Sequence, residues 1–188
     1  MTVAKENIKK KIKHYKESDE NKRNEYSEKL KKYDSSKIYY IDETGINKFY
    51  YRKYGYAPRN ERIYDKVSGR KFKRINIISA EQNNRFICPI QYEGNIDSVL
   101  FEHWFLNYFL ANIPENSVIV MDNASFYRKQ NLLDFSAKHN CNLLLLPPYS
   151  PDLNPIEIMW ANLKSFLSNY SSSFNSIQNA ISDFFLSH

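Results

Sequence analysis

Short apolar runs alternate along most of this chain with longer segments of helical periodicity. Strands are predicted at residues 37–43, 74–80, 85–92, 117–122 and 142–146, where β-branched and aromatic side chains cluster. Thr44 and Gly45 are predicted to form a turn after the first strand, on which Asp42 and Glu43 should face opposite sides. Helices are predicted from Ser98 with Asp97 as its cap, over about ten residues ending near His139, from Pro155 to about Ser168, and from Phe174 to Leu186. The helix from Pro155 has an apolar stripe formed by Ile156, Trp160, Leu163 and Leu167. Early antiparallel strands followed by alternating helices and strands predict an α/β fold, with helices on the faces of a mixed sheet.

The same patterns divide the chain into three parts. Residues 1–35 mix Lys, Glu and Asn with few apolar positions, which predicts one or two polar helices that either lean on another element or are frayed. Residues 36–170 hold the strands and helices of the α/β domain. Residues 171–188 begin with a serine linker and continue as an amphipathic helix, expected to be packed on the domain or appended to it.

The charge is unevenly distributed along the chain. The net charge is +6, but residues 48–74 alone carry 10 Lys or Arg against 2 Asp or Glu, and residues 75–188 carry 5 against 10. Such asymmetry suggests a polyanionic partner, with nucleic acid first. For residues 1–37, which carry +5, a solvated charged face explains the composition equally well.

Several classes of protein are disfavoured by composition. Only 4 Gly are present and no G-x-G-x-x-G string occurs, which argues against a glycine loop for nucleotides. Cys88 and Cys141 form no C-x-x-C pair, so no zinc site is suggested. No signal peptide and no apolar run of membrane-spanning length is found, so we expect a cytoplasmic protein without a membrane partner.

Three carboxylates stand at positions where chemistry is expected. Asp42 and Asp122 end apolar strands, and Glu157 falls at the third position of a helix that Asn154 and Pro155 would begin. The carboxyl ends of neighbouring parallel strands converge, so the three side chains can meet. Carboxylates gathered in this way repel one another unless a hard cation such as Mg²⁺ or Mn²⁺ joins them.

Each of these residues also has a simpler explanation. Asp42 fits a turn at a strand end, and Asp122 with Asn123 fits an Asx turn. Glu157 could complete a capping box with Asn154. Only the joint position of the three carboxylates within one compatible topology favours a metal site.

Three sequence strings carry a family resemblance. YIDET, VIVMDNASFYR and LPPYSPDLNPIEIMWANLK resemble the catalytic domain of mariner-related bacterial insertion-sequence transposases, within the DDE superfamily of endonucleases and retroviral-integrase-like proteins. The resemblance covers about Ser36 to Asn169. The second and third carboxylates are separated by 157 − 122 − 1 = 34 residues, as this group's pattern expects.

The resemblance implies a fold, an activity and its cofactors. It implies a ribonuclease H-like mixed five-stranded sheet and a metal-dependent DNA endonuclease and strand transferase. Asp42 would bridge two Mg²⁺ or Mn²⁺ ions, with Asp122 and Glu157 each holding one. The expected reactions are nicking at transposon ends and attack of the freed 3′-hydroxyl on target DNA, by a homodimer associated with the nucleoid of a bacterium.

The resemblance also suggests further site residues. An extension after the first catalytic strand contacts DNA in relatives, which here predicts phosphate contacts by Arg52, Lys53, Arg59, Arg62, Arg70, Lys71, Lys73 and Arg74. Residues expected to support the carboxylates are Asn123, Asn154 and Tyr127, the last of which stands where relatives usually carry His.

The short segment before the catalytic core leaves more than one function open. About 36 residues precede the core, whereas relatives begin with paired helix-turn-helix modules, so we expect a catalytic portion without its own end-recognition module. Two alternatives remain open: a catalytically silent DNA-binding or dimerising remnant that modulates a full-length transposase, and a structure-selective nuclease on the same fold.

Overall fold

A five-stranded mixed sheet organises the fold, which the computed structural model describes over residues 18–47, 74–170 and 176–187. The strands are β1 (Ile38–Asn47), β2 (Arg74–Gln82), β3 (Arg85–Glu93), β4 (Val118–Met121) and β5 (Asn142–Leu145), in the order β3-β2-β1-β4-β5. The helices are α1 (Glu20–Leu30), α2 (Ser98–Trp104), α3 (Lys129–Lys138), α4 (Ile156–Tyr170) and α5 (Ile177–Ser187). The predicted fold class is therefore confirmed.

The direction of each strand follows from its connection to the next. β1, β2 and β3 form antiparallel pairs, whereas β4 runs parallel to both β1 and β5. Antiparallel neighbours need only a short turn, while parallel neighbours need a crossover such as α3, which joins β4 to β5. All four residues of β4 are buried, as expected of a parallel strand covered on both faces.

The first strand is longer than the sequence pattern predicted. The prediction of a strand ending at Glu43, with a turn at Thr44 and Gly45, was wrong, because β1 continues to Asn47. β2 pairs with this extra length, with Thr44 opposite Ile77 and Gly45 opposite Asn76. Asp42 consequently lies within β1 and not at its end.

Two separate apolar layers cover the sheet. On one face, Tyr39 and Ile41 pack against an aromatic cluster from α2 and the turns that follow it, namely Phe101, Trp104, Phe105 and Phe109. On the other face, Ile46 and Ile77 pack against α4 and α5. The stripe predicted for α4 is buried there as expected, through Ile156, Trp160, Leu163 and Leu167.

The β2–β3 hairpin has a tighter turn than the predicted four-residue loop. Asn83 and Asn84 form it with φ of 52° and 60°, values that Asn tolerates better than most residues and that match a primed hairpin turn. Further along β3, Cys88 has φ 51° at a point where the β2–β3 register shifts. Trp104 stabilises this bulge, since its indole nitrogen donates to the Cys88 carbonyl at 2.9 Å.

The helix predicted from Ser98 is capped as expected but does not continue as one α-helix. The Leu100 amide donates to Asp97 Oδ1 at 2.8 Å. After Trp104 the backbone becomes a π-helical segment, Phe105–Phe109, and then a 3₁₀ turn, Leu110–Asn112. The wider π turn accompanies the insertion of several aromatic rings into one cluster.

The polar helix α1 packs on the domain through a few side chains. Arg23 and Tyr26 are its buried residues, and Tyr26 packs with Ile38 and Val118. The Arg23 guanidinium donates to both carboxylate oxygens of Asp152, at 3.0 and 2.6 Å. This bidentate pair joins α1 to the segment before α4.

Three predicted features lie partly or wholly outside the described residues. They are the N-terminal segment over residues 1–17, most of the basic extension, within residues 48–73, and the serine linker at residues 171–173. Within the described ranges, none of the helices is both long and apolar enough to cross a membrane.

The fully buried strand β4 should contribute strongly to the stability of the domain. Ile119 in β4 is fully buried, whereas Ile158 in α4 is 68% exposed. We expect Ile119→Ala to lower the free energy of unfolding by about 2–5 kcal/mol, because it leaves a cavity in the core. The matched change Ile158→Ala should stay within about 0.5 kcal/mol of the unsubstituted protein in urea unfolding. Equal losses from the two substitutions would contradict the assigned core.

Candidate active site

The parallel pairing of β1 with β4 brings two of the predicted carboxylates side by side. Ile41 lies opposite Met121 in this register, so Asp42 and Asp122 are the next residues on two adjacent strands. β4 ends at Met121, which opens a cavity of about 330 Å³ there. Its wall includes Asp42, Asp122 and Glu157 together with Asn123 and Asn154, so the structure brings these predicted site residues to one place.

Asp42 is positioned by a hydrogen bond from a buried tryptophan of α4. It lies on the α4 side of β1, and the buried indole of Trp160 donates a hydrogen bond to Asp42 Oδ2 at 3.2 Å. Burial raises the pKa of Asp42 to about 7, and the nearby charges of Glu157 and Asp122 add to the rise. The Glu43 backbone amide and Trp160 oppose it by hydrogen bonding to the ionised form.

Asp122 is the first residue beyond β4. Its Oδ1 accepts a hydrogen bond of 3.4 Å from the Ala124 amide, which is the Asx-type contact that the sequence allowed as a simpler explanation. Desolvation raises the pKa of Asp122, while the Ala124 amide and the Tyr127 hydroxyl act in the opposite direction. A turn contact and a position on the cavity wall therefore coexist at this residue.

Glu157 lies exposed in the first turn of α4, and its helix begins differently from the prediction. α4 starts at Ile156, and the amides of Glu157 and Ile158 donate to the backbone carbonyls of Asn154 and Pro155, at 3.2 and 3.0 Å. Asn154 is only 4% exposed, and its Oδ1 accepts no hydrogen bond from any described residue. The expected side-chain cap is not made, because backbone carbonyls already satisfy these amides.

Tyr127 links the cavity to the opposite face of the sheet. Its hydroxyl donates to Glu43 Oε1 at 3.0 Å, and its ring lies between Phe101 and Phe126 with centroid distances of 4.5 and 4.2 Å. Burial raises the pKa of Tyr127, and the charges of Glu43 and Asp122 raise it further. The same desolvation raises the pKa of Glu43 to about 7. The raised pKa keeps the phenol of Tyr127 neutral, so its hydroxyl retains the proton that it donates to Glu43.

The predicted DNA-contacting residues are described only at the end of their segment. Arg52, Lys53, Arg59, Arg62, Arg70, Lys71 and Lys73 lie outside the described residues. Arg74 opens β2, and its guanidinium crosses Gly45 so closely that a Cβ there would lie 1.7 Å from Nε. Arg74 lines a different cavity, of about 460 Å³, with Asn76 and Glu93. The structure therefore does not bring Arg74 to the carboxylates.

Sequence reasoning missed three residues around the cavity. Trp160 was assigned only to the apolar stripe of α4, although it also bonds to Asp42. Glu43 was predicted to face away from Asp42, as it does, but its partner Tyr127 is 84 positions away and could not be identified from sequence. Tyr149 lines the cavity with 58% of its surface exposed. An aromatic residue between prolines was the available signal for Tyr149.

The donor chemistry of the cavity suits a hard divalent cation. Its three acidic side chains offer only oxygen atoms. Burial, with a smaller effect from the charges of Glu157 and Asp122, raises the pKa of Asp42, and a bound cation would oppose this rise. Across residues 18–47, 74–170 and 176–187, no group of three or more His, Cys, Asp or Glu is already arranged to hold a metal ion. The carboxylates thus share a cavity without forming a closed ligand cluster.

Comparison with known proteins agrees with this geometry. A family model described as DDE superfamily endonuclease matches residues 37–181. The transposable element Tc1 transposase of Caenorhabditis elegans is 32% identical over 95 residues, or 48% of this chain and 33% of the Tc1 protein. The chain therefore matches a third of the length of that relative.

Solved structures of Mos1 transposase share the fold. The Mos1 paired-end complex with the left transposon end superimposes with a TM-score of 0.73 at 16% identity, covering 98% of this chain and 60% of that chain. The structure of the Mos1 catalytic domain superimposes with a TM-score of 0.66 at 15% identity, covering 94% of this chain and 85% of that chain. The sheet is thus the ribonuclease H-like fold. Since the family match spans most of its length, the chain belongs to the DDE superfamily endonuclease family.

Proposed function

We propose that this chain is the catalytic domain of a DNA transposase that nicks DNA at transposon ends and joins the freed 3′-hydroxyl to target DNA. The observation that carries the proposal is the single cavity that Asp42, Asp122 and Glu157 line at the end of β4. Membership in the DDE superfamily endonucleases and the similarity to the Tc1 transposase support it.

The three carboxylates would hold Mg²⁺ or Mn²⁺, with two ions as the working hypothesis. Bound ions would activate the attacking oxygen and stabilise the leaving oxygen of phosphoryl transfer. The Mos1 paired-end complexes with Mn and with Mg support this choice of cofactor by analogy. The acidic side chains on the cavity wall of this chain offer only oxygen donors, which also favours Mg²⁺ or Mn²⁺.

The surrounding residues would orient these ligands. Trp160 fixes Asp42 Oδ2 from the core, and the Ala124 amide fixes Asp122 Oδ1. Tyr127 restrains Glu43 and the carboxylate of Asp122 from the other side of the sheet. Side chains that are already held in place lose little conformational freedom when they bind a metal ion, so these contacts favour a preorganised site.

The proposed reaction needs no covalent intermediate with the protein. In the first step a water oxygen forms a bond to phosphorus while the bond from phosphorus to the 3′ oxygen breaks, leaving a 3′-hydroxyl and a 5′-phosphate. In the second step that 3′-hydroxyl attacks a phosphodiester of the target, and the displaced strand leaves with its own 3′-hydroxyl. Both steps are displacements at phosphorus, so one set of carboxylates could serve both.

The remaining parts of the proposal concern partners and context. The basic residues between Arg52 and Arg74 would contact DNA phosphates, and a homodimer would form the active complex. A mariner-related insertion sequence of a bacterium, with the protein near the nucleoid, is the proposed context. Mos1 structures named as complexes with transposon ends support a DNA partner by analogy.

The carboxylates are tested by nicking of supercoiled plasmid in Mg²⁺. Asp42→Asn, Asp122→Asn and Glu157→Gln should each reduce nicking by more than about 100-fold, since loss even of outer-shell metal partners costs 10–100-fold. Asp183→Asn, an exposed acidic residue on α5, is the matched control and should nick normally. Full activity of Glu157→Gln would exclude a ligand role for this residue.

Metal affinity should depend on pH because Asp42 must lose a proton to bind a cation. Its pKa is raised to about 7, so below that pH the protonated form competes with the ion. The association constant for Mn²⁺, measured by titration calorimetry, should rise about tenfold per pH unit up to about pH 7 and then level off. Glu43→Gln, which removes the other carboxyl with a pKa of about 7, should retain this dependence. An affinity independent of pH would contradict the assignment.

The basic segment is tested by the salt dependence of DNA binding. Replacing Arg52, Lys53 and Arg59 by Gln should reduce the slope of log K against log salt by roughly one for each phosphate that the variant no longer binds. Replacing Lys29, Lys31 and Lys32 in and after α1, which are exposed, provides a control of equal charge. An equal change of slope in both variants would indicate unspecific attraction by net charge.

A further inference from the structure

We infer that Arg23 of α1 is a positioning residue of the candidate active site: through Asp152 it fixes the turn that leads into α4, and so places Glu157 at the cavity. The inference rests on the proposed function, because it takes Glu157 as a ligand of the metal ion. It gives a role in the site to a helix that precedes residues 37–181, the part of the chain that matches the family model.

The ion pair between Arg23 and Asp152 differs from an exposed ion pair at the end of the same helix. The guanidinium donates to both carboxylate oxygens of Asp152, at 3.0 and 2.6 Å, and the Arg23 side chain is only 10% exposed. Lys31 and Glu28 make a contact of 2.7 Å between side chains that are 71% and 69% exposed. A bidentate contact fixes orientation as well as distance, whereas an exposed pair contributes little. Arg23 can therefore fix the position of Asp152.

Asp152 lies beside the cavity but outside its wall. It belongs to the 3₁₀ turn Pro151–Leu153, which comes just before α4. Ser150 and Asn154, on either side of this turn, line the cavity. Neither Asp152 nor Arg23 is among the described residues that do so, and the carboxylate of Asp152 instead accepts from Arg23. Arg23 therefore contacts the turn from outside the cavity, where it cannot itself bind the metal ion.

Backbone hydrogen bonds connect the turn to Glu157. The Asn154 amide donates to the Pro151 carbonyl at 3.0 Å, and the Glu157 amide donates to the Asn154 carbonyl at 3.2 Å. Pro151 and Pro155 also have restricted φ angles, so the segment has little freedom to absorb a displacement. A shift of Asp152 should therefore be transmitted to Glu157.

Apolar packing places α1 against the same turn. Tyr26 is 6% exposed and belongs to an apolar cluster against which Leu30 and Leu153 pack. Since Leu153 follows Asp152 directly, α1 and the turn share this cluster in addition to the ion pair. Apolar burial is non-directional, whereas a bidentate pair specifies a geometry. We therefore expect the cluster to hold the turn near α1, and Arg23 to set its exact position.

Titration calorimetry with Mn²⁺ tests the role of Arg23. Arg23→Gln should weaken Mn²⁺ binding by about tenfold, at the lower end of the effect of residues that orient metal ligands. Arg23→Lys keeps the charge but not the bidentate contact, so its affinity should lie between the two. Lys31→Gln removes an equal charge from the exposed pair and should bind Mn²⁺ normally. Unchanged affinity in folded Arg23→Gln would overturn the inference.

The direction of the change separates positioning from a simple effect of charge. By Coulomb attraction alone, loss of the cation in Arg23→Gln would strengthen Mn²⁺ binding, and loss of the anion in Asp152→Asn would weaken it. If the pair positions Glu157, both single substitutions should weaken binding, and the double variant should bind no more weakly than the weaker of the two. Opposite effects of the single substitutions, or additive losses in the double variant, would count against positioning.

Hydrogen exchange reports on the turn without metal or DNA. In Arg23→Gln and in Asp152→Asn, the amides of Asn154 and Glu157 should exchange about fivefold faster or more, relative to the amides of β4. These two amides are the donors that connect the turn to α4. An equal acceleration in β4 would mean that the pair only stabilises the whole domain, and the inference would fail.

Failure of the proposed function would be recognised separately. If the unsubstituted protein binds no Mn²⁺, the metal-dependent function is overturned, and exchange at Asn154 and Glu157 decides whether Arg23 positions the turn. Faster exchange there would support the positioning role, and unchanged exchange would overturn it. If Mn²⁺ binds, faster exchange with unchanged affinity would also overturn the inference, because the turn would then be held without consequence for the site.

Discussion

The parallel pairing of β1 with β4 is the interaction on which the candidate site depends. The two strands pair over four residues each, from Ile38 opposite Val118 to Ile41 opposite Met121. The next residue on each strand is an aspartate. A slip of one residue would turn either aspartate to the other face of the sheet. The register is held by burial, because every residue of β4 lies in the core. Ile119 and Met121 pack in the layer with the aromatic cluster, and Val118 and Val120 pack with Tyr26 on the other face.

Electrostatics sets the second constraint. Desolvation and neighbouring charges raise the pKa of Asp42 to about 7, so ionising this carboxylate without a cation is unfavourable. By linkage, Asp42 binds more protons in the native protein than in the unfolded chain between about pH 4 and 7, and its contribution to stability falls as the pH rises through that range. Trp160 reduces this penalty through its hydrogen bond to Asp42 while its ring packs among the residues between α4 and the sheet. One side chain thus couples the apolar core to the acidic cavity.

Much of this arrangement could be predicted from local patterns, and the errors have definite causes. The strand ending in Asp122 and the buried stripe of α4 were visible because apolar spacing is a local property. The end of β1 was misassigned because Thr44 and Gly45 suit a turn, whereas the partner strand β2 keeps them extended. Asn154 suits a cap, yet the backbone carbonyls around Pro155 already satisfy the first amides of α4. Propensity cannot anticipate which of two competing acceptors the folded chain will use.

The sequence alone determined the class of fold, the order of its elements and the three acidic residues that belong together. Those features rest on periodicity, on helix punctuation and on a family resemblance, all of which can be read along the chain. Only the tertiary structure decided the contacts between distant residues: Trp160 with Asp42, Tyr127 with Glu43, and Arg23 with Asp152. It also decided that Tyr149 would stand exposed at the cavity with a left-handed backbone. The physical reason is that burial, charge and hydrogen bonding depend on neighbours far away along the chain, and local patterns of residues do not identify those neighbours.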